Sequence, residues 1–92
     1  MELPLHPAQV ALSKALNEGV EVIIFSVSGE ANSWCYIRNG SKFERIFQQR
    51  QEAELKDIYD ELSYWLRKHD ANCHRDGKLL FVDFYRKIET NL

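Results

Sequence analysis

Between Trp34 and Phe47 aromatic and basic side chains recur at alternate positions: Trp34, Tyr36 and Arg38, then Phe43, Arg45 and Phe47. On extended backbone every second residue shares a face, so two paired strands here gather these six side chains on one surface. Rings beside guanidinium groups can hold single-stranded nucleic acid, with bases stacked on the rings and arginines against phosphate. The same rings turned toward helices make a core instead, with Arg38 and Arg45 carrying their charged heads out at the sheet edge. Large apolar groups are mostly buried, so the core is the expected arrangement. A nucleic-acid site, the alternative, would rest on Trp34, Tyr36, Arg38, Phe43 and Arg45.

Other chemistry-bearing residues are sparser. His69, Cys73 and His74 are the one cluster of metal-ligand types, but three ligands without CxxC or HxxxH spacing do not define a site, and no metal is expected. Asp83, between Val82 and Phe84, is the one carboxylate in an apolar run; strand alternation sets it beside Leu79, Phe81 and Tyr85 on a partly solvated face. With no strained nucleophile turn, phosphate-cradling glycine loop or paired buried acids, neither an enzyme nor a cofactor is expected. Asp57, Asp60 and Tyr64 share a polar helix stripe with Arg67 and Lys68, an arrangement suited to a basic protein partner or to an inhibitor or immunity-type role. Phe81 and Tyr85 are expected on an apolar sheet face available to a partner.

The elements that carry these residues follow from periodicity. Pro7 opens a helix whose inner side is Ala8, Ala11, Leu12, Ala15 and Leu16, and Gly19 closes it. Val20 to Ser28 is apolar on both faces, as a central strand would be. Asn39-Gly40 is expected to form the two-residue turn of a hairpin over 33–47, with Tyr36 opposite Phe43 and Ile37 opposite Lys42. Gln48 to Gln51 reads as a polar connection. Leu55, Ile58, Tyr59, Leu62, Trp65, Leu66 and His69 trace a second helix. A turn over 71–77 then leads to a strand from Leu79 to Tyr85, with a helical turn from Phe84 onward as its competitor.

The expectation is a small single α+β domain spanning 1–92, in the order α-β-β-β-α-β, with a mainly antiparallel sheet and both helices on one face. Residues 1–6 are expected to be a poorly ordered N-terminal segment. The order of helix, three strands and helix invites comparison with double-stranded RNA-binding domains. The second helix argues against it: Glu52, Glu54, Asp57, Asp60 and Glu61 would repel phosphate where those domains are basic.

Composition sets the outer bounds. Of 92 residues, 45% are hydrophobic and 28% charged, which is globular rather than disordered usage. A net charge of −2 gives no global attraction to nucleic acid or anionic lipid. No run approaches the length of a membrane helix, and two isolated cysteines suit a reducing compartment, so a cytoplasmic protein without a membrane partner is expected. The function expected is a non-catalytic protein-protein interaction or adaptor module, self-association through the sheet edge or its second face included.

Overall fold

A computed structural model describes residues 5–30 and 33–87. Its elements are α1 (Pro7–Asn17), β1 (Val22–Val27), β2 (Ser33–Asn39), β3 (Lys42–Ile46), β4 (Arg50–Ala53), α2 (Leu55–Leu66), β5 (His69–Asp76) and β6 (Leu79–Arg86). They form one six-stranded sheet in the order β4-β3-β2-β1-β6-β5. Every neighbouring pair is antiparallel except β1 and β6, which run parallel through the middle. The class is α+β, and β1 is central, as its two apolar faces require.

Both helices lie on one face. Ala8, Leu12 and Ala15 of α1 and Ile58 and Leu62 of α2 share a single buried cluster with Ile23, Phe25, Val27, Trp34, Tyr36, Phe43, Leu80, Val82 and Phe84. Phe25 is at its centre, edge-on to Trp34, Tyr36 and Phe84 at centroid separations of 5.8, 5.6 and 5.5 Å. The small alanines of α1 allow it to lie close to the sheet. Polar contacts also join the helices: the Ser13 and Tyr59 hydroxyls are 2.7 Å apart, and Gln9 Nε2 donates to Ser63 Oγ at 3.4 Å.

The structure corrects four expectations. The hairpin turn is Gly40-Ser41 rather than Asn39-Gly40: Asn39 pairs with Lys42, Arg38 with Phe43 and Tyr36 with Arg45. Gly40 takes the positive φ, +65°, while no non-glycine among the described residues does, which is the pattern of a turn with glycine at its first central position. The polar connection contains an extra strand, β4, an exposed edge paired to β3 through Arg45–Gln51 and Glu44–Glu52. The segment over 71–77 is mostly strand: β5 pairs with β6 from His69–Arg86 to Asp76–Leu79, and Gly77 (φ +58°) opens its turn. His69 therefore starts a strand and does not end a helix.

The competing helical turn from Phe84 is not formed, because β6 continues to Arg86. Of the segment expected to be poorly ordered, residues 1–4 lie outside the described residues. His6 is anchored: its Nδ1 accepts from the Ala8 amide at 3.0 Å, and its backbone N–H donates to Gln9 Oε1 at 2.9 Å. Among the described residues no helix is long and apolar enough to cross a membrane.

Candidate functional site

Strand alternation and the observed register decide what the uncovered face of the sheet presents. Ile46 pairs with Cys35, Cys35 with Ile24, and Ile24 with Phe81, giving one apolar row across four strands. Ile37, Val22 and Leu79 form the neighbouring row. All seven side chains are only partly buried. They point away from both helices, and among the described residues no element covers them. Neighbours in the sheet screen them from the sides and leave their outer ends to water.

The borders of this face are polar. On the β3–β4 side, Lys42 Nζ lies 2.6 Å from Glu52 and Arg50 Nη1 3.0 Å from Glu44. At one end of the β1–β6 seam Ser26 Oγ donates to Asp83 Oδ1 at 2.5 Å, and on the β5 side the His74 ring lies 6.1 Å from that of Phe81. An apolar centre with a paired polar rim has the anatomy of a protein interface.

The residues singled out from sequence fall on three separate surfaces. Phe81 and Tyr85 are on the uncovered face, Phe81 in its apolar row and Tyr85 toward one end, opposite Asp70 of β5. Burial, and the Asp70 charge after it, push the Tyr85 phenol up. Asp57, Asp60 and Tyr64 are exposed on α2, on the far side of the sheet from Phe81. There Asp57 has a structural task, since its Oδ2 accepts the Glu54 backbone N–H at 2.8 Å and so caps the helix. Tyr64 stands 60% exposed with its ring edge-on to Trp65.

Trp34, Tyr36 and Phe43 are core, at 7%, 1% and 1% exposure, with α2 lying over them. Arg38 and Arg45 close the margin of that core. The Arg38 guanidinium sits 4.8 Å from the Phe43 ring centre while Nε donates to the Val20 carbonyl at 3.1 Å. Arg45 lies over Trp34 and Phe47 at 5.8 and 5.5 Å and meets Glu61 at 3.4 Å. Burial drives the Tyr36 phenol up to about 12, so its hydroxyl stays neutral inside the core. No ring of this set is free to stack on a base.

His69 and Cys73 lie on the helix-covered side of β5 and His74 on the other, so the three do not converge on one point. Burial raises the Cys73 thiol to about 11. Asp83 is exposed, on the face that strand alternation assigned to it.

Sequence reasoning missed a second feature, a basic cleft where α2, β1 and β6 end and β5 begins. Its cations, Arg67, Lys68, Arg86 and Lys87, are separated in sequence, and only the β5–β6 hairpin brings the two pairs together. Comparison with known proteins adds nothing to the geometry: no family model, no curated protein and no solved structure matches this chain.

Proposed function

We propose that this protein is a non-catalytic interaction module working through the uncovered face of its sheet, and that the occupant of that face is a second copy of the chain packed sheet on sheet. The observation that carries the reading is the pair of apolar rows, Ile46-Cys35-Ile24-Phe81 and Ile37-Val22-Leu79, with no covering element among the described residues. Contiguous apolar surface of this kind marks an interaction site.

Area and symmetry support a second copy. Six strands about 4.8 Å apart and about 20 Å long present a face of roughly 500 Å² in projection. Two such faces together remove on the order of 1,000 Å² or more from water, at the lower bound for a specific interface. A two-fold axis along the strands, between β1 and β2, sets Ile37 over the partner's Val22, Cys35 over the partner's Ile24 and Ile46 over the partner's Phe81. The Ile46-Cys35-Ile24-Phe81 row thus meets its own counterpart, as an isologous contact requires, while Glu44, which continues the second row, comes over the partner's Leu79 with its charge already paired to Arg50. Lys42 and Arg50 already have carboxylate partners, so the border brings no unpaired cation into the contact.

Sedimentation velocity across a concentration series tests this. The expected result is reversible dimerisation with a dissociation constant on the order of micromolar, nearly insensitive to salt because the contact is apolar. Phe81→Glu and Ile24→Glu should each give a folded monomer by circular dichroism. A wild-type chain that stays monomeric at millimolar concentration, or a dimer indifferent to both substitutions, would refute the reading.

A further inference from the structure

Twelve lysines and arginines are present, and the described residues supply a partner for half of them. Lys42, Arg45, Arg50, Lys56 and Arg75 meet carboxylates, and Arg38 bonds a backbone carbonyl. Six cations are without a partner among the described residues: Lys14, Lys78, Arg67, Lys68, Arg86 and Lys87. Four of these six line one cleft of about 900 Å³, where the end of α2 meets the ends of β1 and β6 and the start of β5. The chain as a whole is acidic, so this is a local concentration of positive charge against the general trend.

The cleft walls come from three parts of the fold. Val27, Ser28, Gly29 and Glu30 line it from the end of β1, Trp65, Arg67, Lys68 and His69 from the junction of α2 with β5, and Arg86 with Lys87 from the end of β6. Among the described residues Glu30 is the one carboxylate in the lining. Cations at a helix C-terminus gain from the helix dipole, which accounts for Arg67 and Lys68 but not for Arg86 and Lys87 at a strand end. Four like charges facing one concavity repel one another and are stabilised together by a multiply charged anion.

We propose that this cleft binds a small polyphosphate compound of the nucleoside diphosphate class, with Arg67, Lys68, Arg86 and Lys87 holding the phosphates and Val27 and Trp65 offering apolar surface to the remainder. The volume suits a small molecule. A polymer is disfavoured because no basic track runs on from the cleft: back along α2 the outward charges include Asp60 and Asp57. The site does not include the uncovered sheet face, so it stands or falls independently of self-association.

Calorimetric titration with ADP tests the assignment, with pyrophosphate, adenosine and a mixed single-stranded oligonucleotide as separate arms and the Trp65 indole NMR signal as a local reporter. ADP and pyrophosphate should bind and adenosine should not. The affinity should fall as salt rises from about 50 to about 200 mM. The double substitutions R67Q/K68Q and R86Q/K87Q should each weaken ADP by at least about tenfold. All four side chains are exposed, so melting temperatures should hold. K14Q/K78Q, which removes two unpaired cations outside the cleft, should leave binding unchanged. No heat and no Trp65 movement with millimolar ADP overturns the proposal. So does an equal loss in K14Q/K78Q, which would mean diffuse charge, or an oligonucleotide that binds more tightly than ADP.

Discussion

Phe25 and Phe81 are two phenylalanines of the central parallel pair that face opposite sides of one sheet, and they should respond very differently to the same trimming. Phe25 is fully enclosed and makes three edge-on ring contacts; Phe81 is partly buried with its outer side open. Leucine at position 25 retains much of the volume but loses the ring contacts, each worth about 0.5–1.5 kcal/mol and not additive, so the expected loss is about 2 kcal/mol. Alanine there would cost about 3–5 kcal/mol, at least about a fifth of a total stability that for a chain this long is on the order of 5–14 kcal/mol. Phe81→Leu has one packed side to disturb and should cost below about 0.5 kcal/mol. With a urea slope of about 1 kcal/mol per molar, Phe25→Leu lowers the unfolding midpoint by about 2 M and Phe81→Leu by less than about 0.5 M. The measurement belongs at low protein concentration, where self-association adds nothing to stability. Equal midpoint shifts would mean that Phe81 is covered, and the division of the sheet into a packed and an open face would be refuted.

Two further outcomes follow from ionisation. The Ala71 backbone N–H, and then the His6 imidazole 2.7 Å away, hold the Asp70 carboxyl below the ordinary carboxylate range. A lowered folded pKa contributes stability above the unfolded value of about 3.9, lost as pH falls through the folded pKa. Asp70→Asn should therefore melt below the wild type at neutral pH, with the gap closing as pH drops under about 4; a gap constant with pH would contradict this. Burial, with Asp83 as a lesser cause, lifts the Cys73 thiol to about 11. At a given pH it carries roughly a hundredfold less thiolate than an ordinary cysteine. Peptide-resolved disulfide-reagent labelling at mild alkaline pH should find Cys73 sluggish in the folded protein and fast after denaturation, and rapid labelling of the folded form would count against it.

Much of the fold was legible because it is written in periodicity. The apolar stripes of α1 and α2 and the two-faced apolar run of β1 specify element type and burial directly. The composition of the core face was also legible, and the shifted turn shows why. Moving the loop from Asn39-Gly40 to Gly40-Ser41 changes each cross-strand partner by two positions, which preserves the pleat, so Trp34, Tyr36, Arg38, Phe43 and Arg45 remain on one side.

What escaped were strands without an apolar signature. Arg50-Gln51-Glu52-Ala53 is an edge strand held by backbone hydrogen bonds, with only Ala53 buried. In β5, the alternation of Ala71, Cys73 and Arg75 with Asn72, His74 and Asp76 was present, but small and charged side chains muted it. Asp76-Gly77, the same acidic or amide residue before glycine that marked the first hairpin, was the available signal. The uncovered face was anticipated at Phe81 and Tyr85. Its remaining members depend on strand order, which no local pattern encodes. The basic cleft is a product of that same order.

The parallel seam also fixes when the core can exist. Val22 pairs with Leu79 and Val27 with Phe84, and every pair between is likewise 57 positions apart, whereas the hairpins of the sheet join near neighbours. The β1–β4 meander and the β5–β6 hairpin can each form from local sequence, but they meet only by closing a long loop, which is slow because the entropy is lost before the contacts are gained. Until β6 docks, β1 is an edge strand with Ile23 and Phe25 bare on one flank and its backbone groups free to pair with another chain. As the domain emerges during synthesis, its innermost strand is therefore among the first segments made and the last to be enclosed.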